Sequence, residues 1–534
     1  MSTPVRFDAV VIGAGFSGLR MLWELRQLGL SCTVIEAAPD VGGTWYWNTY
    51  PGARTDSESW VYAFSFSKEL QDEWDWQERY PTQPETLAYL QHVADRFDMR
   101  RDIRFETRME SAVYDEAASR WTVTTDRGEV IDCKYLVAAT GVLSLPYTPP
   151  FPGLESFTGE SYVTGRWPKE PVDFTGKRVA VVGTGATAVQ LIPVVAQTAA
   201  HVSVFQRTPN FVLPARNYNL GDEERQAIRK NYDDIWEQAR KHYFGVAMGT
   251  ADRTMRDATP AERQRILEYG WEVGGFRFIF ETFSDILTDE QSNELAAEFI
   301  RDKIRAIVQD PETAELLCPK DYPFVGKRPP LGHFYYETFN RDNVSLVDVS
   351  ENPISEITEH GLRTGSGDEY EADIIVFATG FDAVTGTLRS LDIRGRDGTA
   401  LRDKWDDGPR TQLGIAVDGF PNMFLICGPQ TPFANLPVVI DGIVDWIGAA
   451  IRHLEDNGIA SIEATPEAAE SWAKHMDDIV NATVLPSGRH SWFLGDNIPG
   501  KAHVVLFYFA GAGVYRDECQ AALERGFEGF ALTA

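Results

Sequence analysis

Two glycine-rich turns, Gly13-Ala-Gly15-Phe-Ser-Gly18 and Gly183-Thr-Gly185-Ala-Thr-Ala188, constrain this chain more than any other feature. The first follows an apolar run of strand type that begins directly after Asp8. It opens a helix pattern marked by Leu19, Leu22, Leu25 and Leu28, and a second strand pattern covers Cys32 to Glu36. The second turn repeats this design, with a strand from Val179, a helix carrying Val189, Leu191, Val194 and Val195, and a strand Val202 to Phe205. In a βαβ unit such glycines permit a tight turn and let a pyrophosphate approach the helix N-terminus, where free N–H groups and the helix dipole favour anions. Ala188 in place of a third glycine is an allowed variant. The pattern predicts an α/β chain with two Rossmann-like dinucleotide-binding domains.

The residues that follow each turn differ in charge. Glu36, at the end of the strand after the first turn, can accept hydrogen bonds from an adenosine ribose and would repel a 2'-phosphate, which predicts FAD or NAD there. The corresponding position of the second unit holds Arg207, followed by Thr208, and a guanidinium suits the 2'-phosphate of NADPH. The alternative is a surface arginine at a strand end. Two sites of different specificity in one chain imply electron transfer, most simply from NADPH to FAD.

A second repetition supports duplication. Gly128 to Gly141 and Gly367 to Gly380 are equal in length, each reads as strand, polar break and apolar strand, and each ends in Ala-Thr-Gly. Between about 221 and 320 the chain turns to charged, helix-forming sequence, in Glu223 to Lys241, Ala261 to Tyr269 and Asp289 to Val308, which predicts a helical insertion. From Gly442 an amphipathic helix resumes, and Pro486 to Gly500 is a candidate mobile loop. With 79 acidic against 50 basic residues, the net charge of −29 argues against nucleic acid and anionic membranes as partners. Val179 to Gln206 lacks charged residues, but its glycines, Pro193 and polar residues mark strand, turn, helix and strand rather than a membrane span. Five scattered cysteines argue against a disulfide framework, the nine histidines show no metal-ligand spacing, and no secretory signal opens the chain. A cytoplasmic, metal-free monomer is expected.

The segment Gly42-Gly-Thr44-Trp45-Tyr-Trp-Asn-Thr-Tyr-Pro-Gly-Ala-Arg-Thr-Asp56 is dense in aromatics and glycine and ends in an acid. It resembles the fingerprint of type I Baeyer-Villiger monooxygenases. Phe157-Thr-Gly159-Glu-Ser-Tyr-Val163-Thr-Gly-Arg-Trp167-Pro168 resembles the family's second marker, except that Val163 stands where the family has histidine. Valine cannot hydrogen-bond, which puts domain coupling through that position in doubt. Further likeness at Gly274 to Phe283, Lys327-Arg328, Tyr335 to Asn343, Gln430 to Pro437 and Asp496 to Lys501 points to the cyclohexanone monooxygenase subgroup.

The resemblance implies an FAD domain from 1–145 and 385–534, an NADP domain from 146–220 and 321–384, and a helical insertion, 221–320. It implies that Arg328 is the catalytic arginine and Asp56 its carboxylate partner beside the flavin. Thr44 and Trp45 fall on the flavin side, and Thr184, Ala186, Thr187 and Gln190 on the nicotinamide side. Lys327, Arg207 and Thr208 become 2'-phosphate contacts, and Trp492 belongs to a loop over NADP and substrate. Leu143, Phe278, Phe280, Phe433 and Leu436 are implied near the substrate, although as apolar residues they could equally be core. The implied reaction uses NADPH and O2 to turn a ketone, cyclic in the subgroup's manner, into an ester or lactone through a flavin peroxide and a tetrahedral adduct. A permanently cationic guanidinium suits both anions, although Arg328 could instead be a second phosphate contact. Two alternatives remain: a flavin monooxygenase acting on nitrogen or sulfur, and an uncoupled NADPH oxidase.

Overall fold

The computed structural model describes residues 4–488 and 491–534. Its largest sheet has the strand order Asp392–Arg394, Met109–Asp115, Arg120–Thr125, Val130–Ala138, Val5–Ile12, Cys32–Ile35, Ile103–Arg104, and Met423–Leu425 also pairs with Val130–Ala138. A second sheet of five parallel strands runs Val344–Asp348, His201–Gln206, Arg178–Val182, Ile374–Phe377, Glu160–Val163. All strands of the second sheet lie between Val130–Ala138 and Asp392–Arg394 in sequence, so one unit interrupts the other. Each glycine turn leaves a central strand flanked by parallel neighbours on both sides: Val5–Ile12 between Cys32–Ile35 and Val130–Ala138, and Arg178–Val182 between His201–Gln206 and Ile374–Phe377. Ligand crevices of open α/β sheets form at such switch points.

Several local expectations are corrected. Asp8 lies inside the first strand, which begins at Val5. Gly128 to Gly141 contains one unbroken strand, Val130–Ala138, whereas Gly367 to Gly380 divides into Glu369–Glu371 and Ile374–Phe377. In the first copy the polar residues find partners without leaving the strand: Asp132 pairs with Arg120 and Arg6, and Lys134 with Glu455. In the second, Asp373 turns to the backbone N–H and guanidinium of Arg178, and the chain changes sheets there. Val194 sits on an exposed part of its helix. Glu223 to Lys241 forms two helices, Asp222–Lys230 and Tyr232–Lys241, because the Asn231 side chain bonds back to the Ala227 carbonyl at 2.7 Å. The helical region continues through Pro260–Val273, Glu290–Ile307 and Pro311–Leu317.

The tail helix begins at Leu436 rather than near Gly442 and runs to Asn457. It rejoins the first unit along Phe16–Gln27, where buried Arg20 donates to Asp441 at 2.9 Å, Asp445 at 2.6 Å and Glu24 at 3.0 Å. A buried guanidinium is tolerated because its donors are paired. Among the described residues no helix is long and apolar enough to cross a membrane.

Candidate active site and its two glycine cradles

The two Ala-Thr-Gly segments occupy equivalent places. Gly13 has φ +105°, and a Cβ there would lie 2.6 Å from the Ala139 carbonyl oxygen; Gly183 has φ +115°, and its Cβ would lie 2.5 Å from that of Ala378. The Gly13 N–H donates to Ile35 at 2.8 Å and that of Gly183 to Phe205 at 3.0 Å. Only a residue without a side chain fits at either place. A Cβ on Gly18 would meet the Gly13 carbonyl at 1.8 Å, so the third glycine serves the crossing of helix over turn.

The middle glycines differ. A Cβ on Gly15 would touch the Cα of Gly43 at 3.3 Å, so the fingerprint loop presses directly on the first turn. A Cβ on Gly185, the residue before the helix Ala186–Val195, would meet nothing within 4 Å. That open space before a helix N-terminus fits a phosphate group. Glu36 is buried and its carboxylate accepts the N–H groups of Ala14 at 2.6 Å and Ala38 at 2.7 Å. Burial raises its pKa against the pull of those N–H groups. Each oxygen keeps a lone pair for a ribose hydroxyl.

Around the second turn, the Thr184 hydroxyl donates to the Thr208 carbonyl at 2.8 Å. Thr187 lies close enough to the Tyr50 hydroxyl to oppose the rise that burial gives its pKa. Gln190, expected as a cofactor contact, has both ends of its amide engaged elsewhere, accepting from the Tyr50 hydroxyl at 2.9 Å and donating to the Arg54 carbonyl at 3.1 Å. Arg207 is exposed and close enough to depress the pKa of Lys327, whose ammonium lies 4.8 Å from the Tyr322 ring centroid. Burial first, and Arg207 second, bring Lys327 down to about 8. Two neighbouring cations, neither ion-paired among the described residues, fit a dianionic phosphate.

The fingerprint loop carries Thr44, exposed, and Trp45, buried edge-on against Tyr62 with centroids 5.6 Å apart. At its end Asp56 is buried, and its Oδ2 accepts a hydrogen bond from Arg328 Nη2. Asp56 Oδ1 is buried without a donor, an acceptor that a bound group could complete. Burial raises the Asp56 pKa, and the Arg328 charge opposes the rise. The other N–H groups of Arg328 make no hydrogen bond among the described residues.

Arg328 also borders an apolar pocket walled by Tyr243, Phe244, Phe276, Ile279, Phe280, Leu287, Val325, Pro329, Phe433, Thr483, Leu485, Phe493 and Phe509. The Tyr243 hydroxyl is committed to the Phe509 carbonyl and that of Thr483 to Val480 at 2.7 Å. Among the described side chains of the walls, Arg328 is therefore the one with hydrogen-bond donors left uncommitted.

Of the expected substrate residues, Phe280 and Phe433 line this pocket, and three do not. Phe278 is fully buried in the core, stacked on Phe299 at 5.9 Å and edge-on to Trp271 and Phe324. Leu436 is the half-buried first residue of the tail helix, and Leu143 lies half-buried in the segment leaving the first sheet. Trp492 is edge-on to Phe433 at 5.7 Å and to Phe507 at 5.0 Å, while its neighbour Phe493 forms the wall. Residues 489 and 490 of that expected mobile loop lie outside the described residues. Val163 ends its strand opposite Phe377 and joins an apolar cluster with Phe151, Leu154 and Phe157. Tyr243 and Phe244 escaped sequence reasoning because they belong to no motif; Phe276 stands inside the Gly274 to Phe283 segment and carried a signal that was available.

A sequence model of flavin-binding monooxygenase-like proteins matches residues 8–230. A Baeyer-Villiger monooxygenase of Pseudooceanicola batsensis is 46% identical over 98% of this chain and 95% of its own length. A phenazine N-monooxygenase of Lysobacter antibioticus, PhzNO1, is 45% identical over 98% of this chain and 97% of its own. Among solved structures, a cyclohexanone monooxygenase from Rhodococcus sp. Phi1 bound to NADP+ superposes with a TM-score of 0.97 at 44% identity, covering both chains completely.

Proposed function

Because the chain belongs to the Baeyer-Villiger monooxygenases, we propose that it converts ketones to esters or lactones with NADPH and O2, holding FAD at the first glycine turn and NADP(H) at the second. One oxygen atom enters beside the carbonyl carbon and the other leaves as water while NADPH becomes NADP+. Bound FAD supplies the electron relay from NADPH and the place where O2 is activated.

The observation that carries this reading is Arg328, fixed by buried Asp56 at the edge of a pocket whose other polar groups are already bonded. The guanidinium receives the ketone's carbonyl oxygen and stabilises the negative charge that develops on it, and it stays protonated without gaining or losing a proton. Asp56 orients the fork. The aromatic walls exclude water and hold the hydrocarbon part of the ketone, a cyclic one being the compact fit. Gly13, Gly15, Gly18, Glu36, Thr44 and Trp45 frame the flavin nucleotide. Gly183, Thr184, Gly185, Ala186 and Thr187 frame the nicotinamide nucleotide, with Arg207, Thr208 and Lys327 at its 2'-phosphate and Trp492 on the covering loop. Gln190 contributes from behind by anchoring Tyr50 and Arg54.

The test supplies the holoenzyme with NADPH, O2 and a panel of cyclic, linear and aryl ketones, with phenazine as a nitrogen substrate. Ester or lactone, N-oxide, peroxide and NADPH consumption are measured together. Ester formation matching NADPH consumption for at least one ketone is expected. N-oxide as the sole oxygenated product, or peroxide alone with every compound, would overturn the reading.

A further inference from the structure

The fingerprint loop meets the second glycine unit at several points. Asp56 bonds Arg328, and Tyr50 and Arg54 bond Gln190, while a Cβ at Gly52 would strike the Gln190 carbonyl at 2.3 Å. The remaining point is a single charge. Lys169, directly after the Trp167-Pro168 of the second marker, sets its ammonium 3.9 Å from the Tyr46 ring centroid and donates to the Tyr46 carbonyl, with the Trp47 ring at 5.8 Å. Tyr46 belongs to the short helix Thr44–Trp47.

Late carbonyls of a helical turn lack intrahelical partners and carry partial negative charge, and an aromatic face attracts a cation. Lys169 receives both. No carboxylate is ion-paired with it among the described residues, although the chain has 79 acids. Desolvation at this contact lowers its pKa, although the side chain as a whole remains exposed. The same marker has Val163 in an apolar cluster, where no hydrogen bond from that side chain can tie the domains.

We propose that Lys169 is a positioning residue whose ammonium clasps the second dinucleotide unit to the fingerprint loop and so keeps Arg328 and Asp56 in register. Its effect on oxygenation rests on the reading above; the clasp itself does not.

The experiment compares Lys169→Met, which keeps the stem and removes the charge, with Lys169→Arg, which keeps both. Deuterium exchange of 44–54 and 186–195 is measured in the holoenzyme, beside peroxide released per NADPH with ketone present. Lys169→Met is expected to raise exchange in both segments and the peroxide fraction several-fold, and Lys169→Arg to restore both. Wild-type exchange in Lys169→Met, peroxide that rises without exchange, or exchange that Lys169→Arg leaves raised would each overturn the proposal. Because Lys169 is exposed, the Met variant is expected to fold. If no ketone is oxygenated at all, exchange still reads the clasp and the failure belongs to the functional reading.

Discussion

Replacing Arg328 with lysine separates charge from geometry. The guanidinium commits Nη2 to Asp56 and keeps its remaining donors for the pocket, with 27% of the side chain exposed against 3% for Asp56. Lysine retains the positive charge, so Asp56 stays paired and the fold is not left with a buried, uncompensated carboxylate. An ammonium on a flexible stem is a point donor, however, and cannot both satisfy the buried acid and stand at the carbonyl oxygen in a fixed direction. The loss is that of one pre-organised oxyanion donor, about 2.7–4 kcal/mol, or about 10²–10³ in kcat. Ester formation in Arg328→Lys should fall by that factor while NADPH oxidation continues and appears as peroxide. The assay is chromatographic ester yield beside spectrophotometric NADPH consumption. Ester formation within about tenfold of wild type, a barrier change of only about 1.4 kcal/mol, would refute the claim that a two-directional donor is needed.

Gly13→Ala should prevent assembly of the flavin site, because its Cβ would meet the Ala139 carbonyl at 2.6 Å with φ at +105°. Gly185→Ala, with nothing within 4 Å, should fold with an unchanged thermal midpoint but raise KM for NADPH; normal KM would show that no phosphate uses that space. Lys327 is charged below its pKa of about 8, so the preference for NADPH over NADH should weaken as pH rises through about 8, and Arg207→Ala should weaken it by about tenfold at neutral pH. Comparing kcat/KM for the two nucleotides across pH tests both. His242 is buried with its pKa lowered to about 4, chiefly by burial. It is neutral in the fold, while the unfolded chain takes up a proton below about 6.5, so stability present above that pH is lost as pH falls towards 4, by about 3 kcal/mol. Thermal midpoints of His242→Asn should therefore fall less steeply with acid than those of wild type.

The glycine turns were legible because backbone geometry demands glycine there, and the change from Glu36 to Arg207 because fixed charge can be read from spacing, whereas Asp56 and Arg328 were marked only by the resemblance of their segments to those of the family. The paired Ala-Thr-Gly segments were legible as a repeat, but not their reason, since the carbonyl of each alanine fits beneath a glycine only once two strands distant in sequence have paired, Val5–Ile12 with Val130–Ala138 and Arg178–Val182 with Ile374–Phe377. The pocket was harder. Phe278 and Phe280 are two residues apart in one short helix, Arg277–Phe280, yet one turns into the core and the other into the cavity. Apolar character fixes that each is buried and says nothing about which void it faces. Tyr243 and Phe244 reach the cavity from the helical region through tertiary packing that no local period records.

The walls of the cavity come from 243–244, 276–287, 325–329, 433 and 483–509, and none belongs to a glycine turn or to the strands beneath it. Most of the wall therefore lies on stretches of chain separate from the glycine turns, whereas 325–329, with Lys327 and Arg328, and 483–509, with Trp492, serve the pocket and the proposed nucleotide site together. A lineage could exchange one ketone for another by altering the insertion and the tail while its nucleotide cradles stay unchanged. Variants selected for a new substrate should accumulate in those stretches and leave Gly13, Gly183 and their alanine carbonyls alone.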